Sequence, residues 1–178
     1  METQLITMKK HDTLWKGHYI AIRKDADWEY VTRIRGNSAV VIIAITDQNN
    51  LLLVEQYRPP LQMNVIELPA GLVADESTNE TVMQAAAREL LEETGYQAEY
   101  FESIISGPVS AGLSDEIIHL VRARNIKKVH AGGGVDNEQI IVHEVPCKQL
   151  LQRLKEFQEQ GIATDPKVLT ALGILSVE

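Results

Sequence analysis

Glu80-Thr-Val-Met-Gln-Ala-Ala-Ala-Arg88-Glu89-Leu90-Leu91-Glu92-Glu93-Thr94-Gly95-Tyr96 is the stretch that decides how this chain is read. Ala, Leu and Glu have high helix propensity, so the stretch predicts a helix. Ser77, three residues before Glu80, predicts a capping box at its start, and Gly95 predicts its end. At about 100° per residue, Glu89 and Glu93 share one side, with Glu92 in reach of the same ridge. Met83, Ala87, Leu90 and Leu91 form the opposite, core-facing stripe. Like charges four residues apart weaken a helix unless a cation sits among them. A divalent metal is the simplest such cation.

The surrounding composition narrows the class. A chain of 178 residues with 44% hydrophobic and 24% charged residues is expected to fold as one globular unit with a real core. The net charge of −8 argues against a protein that tracks nucleic-acid phosphates, which needs a basic stripe. Met1–Lys10 lacks the basic and apolar regions of a signal peptide, and no apolar run reaches bilayer length, so a cytoplasmic protein without membrane or nucleic-acid partners is expected. Cys147, the single cysteine, has no internal partner for a disulfide and is read as a buried filler near a helix start.

Residues 1–35 alternate apolar and polar positions in short runs and predict a small antiparallel meander. Its Trp15 and Trp28 are either core or interface anchors or flat platforms for a purine base. Ala39–Thr46 and Leu51–Tyr57 flank Asp47-Gln-Asn-Asn50 and predict a buried hairpin. Arg58, just before Pro59-Pro60, is placed to fork onto a phosphate. Val65–Leu68, Tyr100–Ile105, Glu116–Ala123 and Ile140–Val145 complete the predicted strands. Gly132-Gly-Gly134 is read as a hinge carrying Asp136 and Glu138, either of which could act as general base. Cys147–Gln160 predicts an amphipathic helix with Leu150, Leu151, Leu154 and Phe157 inward. Asp165-Pro166 starts a last helix with Val168, Leu169, Leu172 and Leu175 inward. The pattern as a whole predicts an α/β fold, a mixed sheet between helices.

Arg88-Glu89-Leu90-x-Glu92-Glu93-x-Gly95-Tyr96, preceded by Glu80, resembles the Nudix box. Gly71 is the nearest match to the box's first glycine, and the loop from it to Glu80 is three residues longer than the pattern. Val54-Glu-Gln-Tyr-Arg58-Pro-Pro, Glu67-Leu-Pro-Ala-Gly71 and Gly112-Leu-Ser-Asp-Glu116 extend the likeness to the branch of ADP-ribose pyrophosphatases and nucleoside diphosphate sugar hydrolases. The resemblance implies a Nudix-type α/β/α sandwich over 37–178, with N-terminal strands over 1–36 that form a homodimer and help to bind the base. It implies magnesium, or manganese, held by the Ala70 carbonyl, Glu89, Glu93 and Glu138, with Glu92 in support. Substrate contacts fall to Arg58, Trp28, Glu29, Arg33, Trp15 and Glu116, and the loop acids Asp136 and Glu138 supply a base.

The implied reaction is hydrolysis of a nucleotide sugar, ADP-ribose giving AMP and ribose 5-phosphate. ADP-ribose pyrophosphatases typically carry proline at the place of Ala111, where this chain has Pro108 instead, so GDP-mannose or another nucleotide sugar is an alternative. A non-catalytic sensor on the same fold is a further alternative. An isomerase would want an active-site thiol, and Cys147 lies far along the chain.

Overall fold

The computed structural model describes residues 12–36, 38–74, 79–135 and 138–175. Asp12–Lys16 (β1), Ile20–Asp25 (β2) and Trp28–Arg33 (β3) form the expected antiparallel meander, in spatial order β1-β2-β3. It is tied to the rest of the chain through β3. The Val31 amide donates to the Leu113 carbonyl at 2.8 Å, and the Thr32 hydroxyl donates to Asp115 at 2.9 Å.

Ser38–Ala44 (β4) and Asn50–Arg58 (β5) are the apolar runs on either side of Asp47–Asn50, but they do not form a hairpin. The turn exists, with the Thr46 amide on the Asn50 carbonyl at 2.9 Å, and a single bridge joins Ile45 to Leu51. Beyond it the strands enter different sheets. Both runs are apolar on consecutive positions, which suits strands buried on both faces, and each becomes an inner strand. Met63–Glu67 (β6) pairs antiparallel with β5, and Ala70–Leu72 (β7) pairs with β4.

After the acidic helix come Tyr96–Gln97 (β8), Tyr100–Pro108 (β9), Ile117–Arg124 (β10), Lys127–Lys128 (β11) and Ile141–Pro146 (β12). One mixed sheet has the order β7-β4-β10-β9, with β4 and β10 parallel. The other is β12-β5-β6-β13, closed by the short parallel strand Ala163–Thr164 (β13).

Helices cover both faces. Val40, Ile42 and Ala44 of β4 pack with Ala85, Ala86 and Leu90 of the acidic helix. Val41 and Ile43 point the other way, onto Leu150, Leu154 and Phe157 of Leu150–Glu159 (α2) and onto Val168 and Ala171. This alternation along a single strand is the α/β/α layering that the sequence predicts. The fully buried Val, Ile and Leu side chains among these contribute roughly 1.5–3 kcal/mol each.

The acidic helix departs from expectation at its start, its phase and its end. It begins at Val82 (α1, Val82–Glu89), capped by Thr81 and Gln84 in a reciprocal capping box. Ser77 lies outside the described residues, and Glu80 binds Arg88 instead of capping. The core-facing residues are Ala85, Ala86 and Leu90, whereas Met83 and Ala87 are exposed. Small side chains let the helix approach β4 closely. From Leu90 to Thr94 the helix widens into a π turn, and Gly95 ends it at φ 75°. In the closing helices Leu151 and Leu169 are exposed, and Val168 and Ala171 take the inward positions. A 3-10 turn over Pro166–Leu169, capped by Asp165, leads into Thr170–Leu175 (α3). Cys147 opens a 3-10 turn before α2 and packs half-buried at the core's edge, where burial pushes its thiol up. No helix among the described residues is long and apolar enough to cross a membrane.

Candidate active site

Arg88 organises the acidic helix. Its Nε donates to Glu80 at 2.9 Å, Nη2 to the Leu72 carbonyl at 3.0 Å, and Nη1 to Glu89 at 2.6 Å and Glu92 at 3.3 Å. Glu80 also accepts from the Ala74 amide at 2.9 Å, so it holds its place despite the longer loop before it. The Arg88 guanidinium keeps the Glu80 carboxyl below the usual range. Arg88 is therefore a bracket for the helix, with all its described partners inside the protein.

Glu89 and Glu93 face the other way, into a cavity of about 390 Å³ that Ala70, Arg58, Arg33, Glu67, Glu116, Glu138 and Lys167 also line. Glu93 is buried and accepts the Ala70 amide at 3.0 Å. Burial pushes its carboxyl well up, and the nearby charges of Glu89 and Glu138 add to the effect. Glu89 is raised for the same first reason, burial, which outweighs its contact with Arg88. Gly71 makes room for it, since a Cβ there would stand 1.9 Å from Glu89 Oε1.

Two arginines reach the same cavity, each gripped by a glutamate through Nε. Arg58 donates to Glu67 at 2.7 Å and Arg33 to Glu116 at 2.5 Å. Such pairing fixes each guanidinium plane, and a fixed fork is what bidentate phosphate binding needs. Sequence reasoning missed Glu67 and Lys167. Glu67 meets Arg58 only because β5 and β6 pair, and Lys167 arrives from the turn before α3, where the Asp165 carboxylate holds its amine.

The cavity thus brings together Ala70, Glu89, Glu93, Glu138, Arg58, Arg33 and Glu116. Glu92 lies outside its lining, on Arg88. Trp15, Trp28 and Glu29 do not line it within one chain. Trp28 is exposed and borders a second cavity of about 320 Å³ with Tyr30, Asp25, Ala111, Ser114 and Asp115. Ala111 thus borders the same cavity as Trp28. Asp136 lies outside the described residues. The glycine segment is docked rather than free: the Gly133 and Gly134 amides donate to the Glu93 and Glu92 carbonyls at 2.9 and 3.0 Å.

The donor set suits a hard cation. Buried carboxylates that repel one another are stabilised by added positive charge, and magnesium prefers oxygen ligands. Among the described residues no group of three acids is close enough to form a ready cage. Magnesium does not demand one, because it keeps several waters and commonly takes one or two carboxylates together with substrate phosphates.

The NUDIX domain pattern matches residues 36–164. The methanol dehydrogenase activator of Bacillus methanolicus is 40% identical over 124 residues, covering 69% of this chain and 65% of that protein. The ADP-ribose pyrophosphatase of Bacillus subtilis is 32% identical over 127 residues, covering 71% and 66%. The chain thus spans just under two thirds of the length of these two relatives. The mouse ADP-sugar pyrophosphatase is 34% identical over 161 residues, covering 82% of this chain and 72% of that protein. A crystal structure of an ADP compounds hydrolase shares the fold, with a TM-score of 0.64 at 21% identity over 85% of each chain. With its box helix intact and a family match over most of its length, the chain belongs to the NUDIX family.

Proposed function

We propose that the protein hydrolyses the pyrophosphate bond of a nucleoside diphosphate sugar, with ADP-ribose the first candidate and GDP-mannose the next. The observation that carries this is the single cavity in which Glu89, Glu93 and Glu138 face Arg58 and Arg33. The names of the relatives agree with it: ADP-ribose and ADP-sugar pyrophosphatases, and a GDP-mannose pyrophosphatase of Escherichia coli at 30% identity.

A diphosphate is anionic and repels hydroxide, so its hydrolysis near neutral pH needs charge neutralisation and an activated water. Magnesium, or manganese, held by Glu89, Glu93 and the Ala70 carbonyl would neutralise phosphate charge and acidify water when bound. Arg58 and Arg33 orient the phosphates through their guanidinium forks. Glu138 takes the proton as a water oxygen bonds to one phosphorus and the P–O–P bond breaks. The departing group leaves as a phosphate monoester, so ADP-ribose yields AMP and ribose 5-phosphate. Glu92 supports the helix through Arg88. In this reading residues 1–36 are a separate unit that pairs two chains and presents Trp28 to the base.

The 40% identical relative is named for activating a methanol dehydrogenase, and this favours a second reading in which the hydrolysis serves an alcohol dehydrogenase. One experiment tests the hydrolysis on which both readings rest. A panel of ADP-ribose, GDP-mannose, other nucleotide sugars and NAD is incubated with and without magnesium, and phosphatase-coupled phosphate release reports the monoester products. Release from at least one nucleotide sugar only with the metal is expected. Silence on every substrate would favour a non-catalytic sensor.

A further inference from the structure

We propose that the segment Val129–Gly134 is a positioning strap: it docks, backbone against backbone, on the end of the acidic helix and thereby sets Glu138 at the cavity. The last carbonyls of a helix have no partner within it. Here the Glu93 and Glu92 carbonyls accept the Gly133 and Gly134 amides, and the Gly95 carbonyl accepts those of Val129 and His130 at 2.8 and 3.2 Å. The strap therefore caps the same turn that carries Glu92 and Glu93.

The seam has no room for side chains. At Gly95 (φ 75°) a Cβ would stand 2.2 Å from the His130 carbonyl oxygen. At Gly132 (φ 73°) it would stand 2.4 Å from the Thr94 carbonyl carbon and 2.6 Å from the Glu93 oxygen. These neighbours are backbone, which cannot swing aside as a side-chain tip can. Glycine is thus required on both sides by both contact and conformation.

The strap reaches Glu138 through three hydrogen bonds. The Val135 amide donates to Glu138 Oε2 at 3.2 Å, the Glu138 amide to the Val135 carbonyl at 3.0 Å, and the Ile140 amide to the Gly133 carbonyl at 3.2 Å. Gly133 thus links Glu93 on one side to Ile140, the residue before β12, on the other. Displacing Gly132 moves Glu138 relative to Glu93, two carboxylates that line one cavity. Gly132 is a positioning residue that acts through Glu138, and its effect on turnover rests on the proposed hydrolysis; the docking itself does not.

The test uses the full chain. Amide hydrogen exchange of Gly133 and Gly134 is expected to be protected in the wild type and faster by about tenfold or more in Gly132→Ala. With the best substrate of the panel, Gly132→Ala is expected to lower kcat by about tenfold or more with KM within about threefold. In a Glu138→Gln background the same substitution should add almost nothing, because both changes act on one group. If Gly132→Ala does not fold, His130→Ala takes its place: it removes the Nδ1 acceptor of the Gly132 amide, 3.0 Å away, without adding an atom. Open-loop exchange at Gly133 and Gly134 in the wild type overturns the docking. Multiplying losses in the double variant, or unchanged kcat with loosened exchange, overturns the positioning. If no nucleotide sugar is cleaved, the hydrolysis reading fails and the exchange rates still decide the docking.

Discussion

Arg88 Nε lies 2.9 Å from Glu80 Oε1, an ion pair across the first turns of the helix whose two side chains are only 17% and 10% exposed. Arg88 does not itself line the cavity, so its work is to hold Glu80, Glu89 and the Leu72 carbonyl in one place. Lysine cannot make these forked bonds. Arg88→Lys is expected to cost about 2 kcal/mol in urea unfolding. The pair also predicts a pH dependence. The Glu80 carboxyl is held low in the folded state, so it contributes stability above its unfolded pKa and loses it as pH falls through the folded one. The gap in Tm between wild type and Glu80→Gln should be full near neutrality and close below about pH 4. A gap constant down to pH 2.5 would contradict the pairing.

Glu93 carries the opposite sign. Burial raises its carboxyl, so without metal the charged form burdens the folded state above its folded pKa, and acidification from neutral pH relieves that burden. Glu93→Gln keeps an oxygen for the Ala70 amide and removes the charge. In EDTA at pH 7.5 its Tm is expected to exceed that of the wild type. Magnesium should raise the wild-type Tm more than the variant's, while turnover falls on the order of a hundredfold or more. Near-normal turnover at saturating magnesium would remove Glu93 from the ligand set.

The parts of this site legible in the sequence are those whose spacing lies within one element. Arg88, Glu89 and Glu93 could be placed because a helix fixes their relative positions before any tertiary contact forms. The helix phase is not legible, because Met83 outranks Ala85 and Ala86 in hydrophobicity, while close packing on β4 selects the smaller residues. The separation of β4 and β5 into two sheets is not legible either, since apolar runs around a turn do not say whether two strands share a sheet. Arg58 was legible and its partner Glu67 was not, because strand pairing brings them together. The docked glycines read as flexible because composition carries no information about the backbone opposite them.

Gly71 offers a test of how tightly Glu89 is placed. A Cβ at Gly71 would meet the Glu89 carboxylate, the far end of a flexible side chain, and no backbone stands nearer. Gly71→Ala should therefore leave the melting temperature close to that of the wild type while turning Glu89 out of the cavity. The magnesium concentration for half-maximal activity is expected to rise by about tenfold or more. A magnesium titration of the purified variant checks this. An unchanged half-maximal concentration would show that Glu89 tolerates displacement and is not held as a ligand.

Trp28 borders its own cavity rather than the acidic one, so a base stacked on it in one chain is not thereby brought to Glu93 of that chain. If two chains pair through their N-terminal sheets, the Trp28 ring of one can serve the acids of the other. Stacking on a base is mostly uniform binding, so Trp28→Ala is expected to raise KM by about tenfold and to lower kcat much less. Mixed dimers separate the two geometries. A dimer of Trp28→Ala with Glu93→Gln contains one site with both residues intact only if each site draws on both chains. Such a dimer should recover about half the wild-type activity at low substrate, since one of its two sites is whole. If each site uses a single chain, every site in the mixture is defective and low-substrate activity per dimer falls to about half that of the Trp28→Ala enzyme, since only one of its two sites keeps Glu93. The two outcomes differ in sign at one substrate concentration, so a single titration of one variant against the other decides where the base lies.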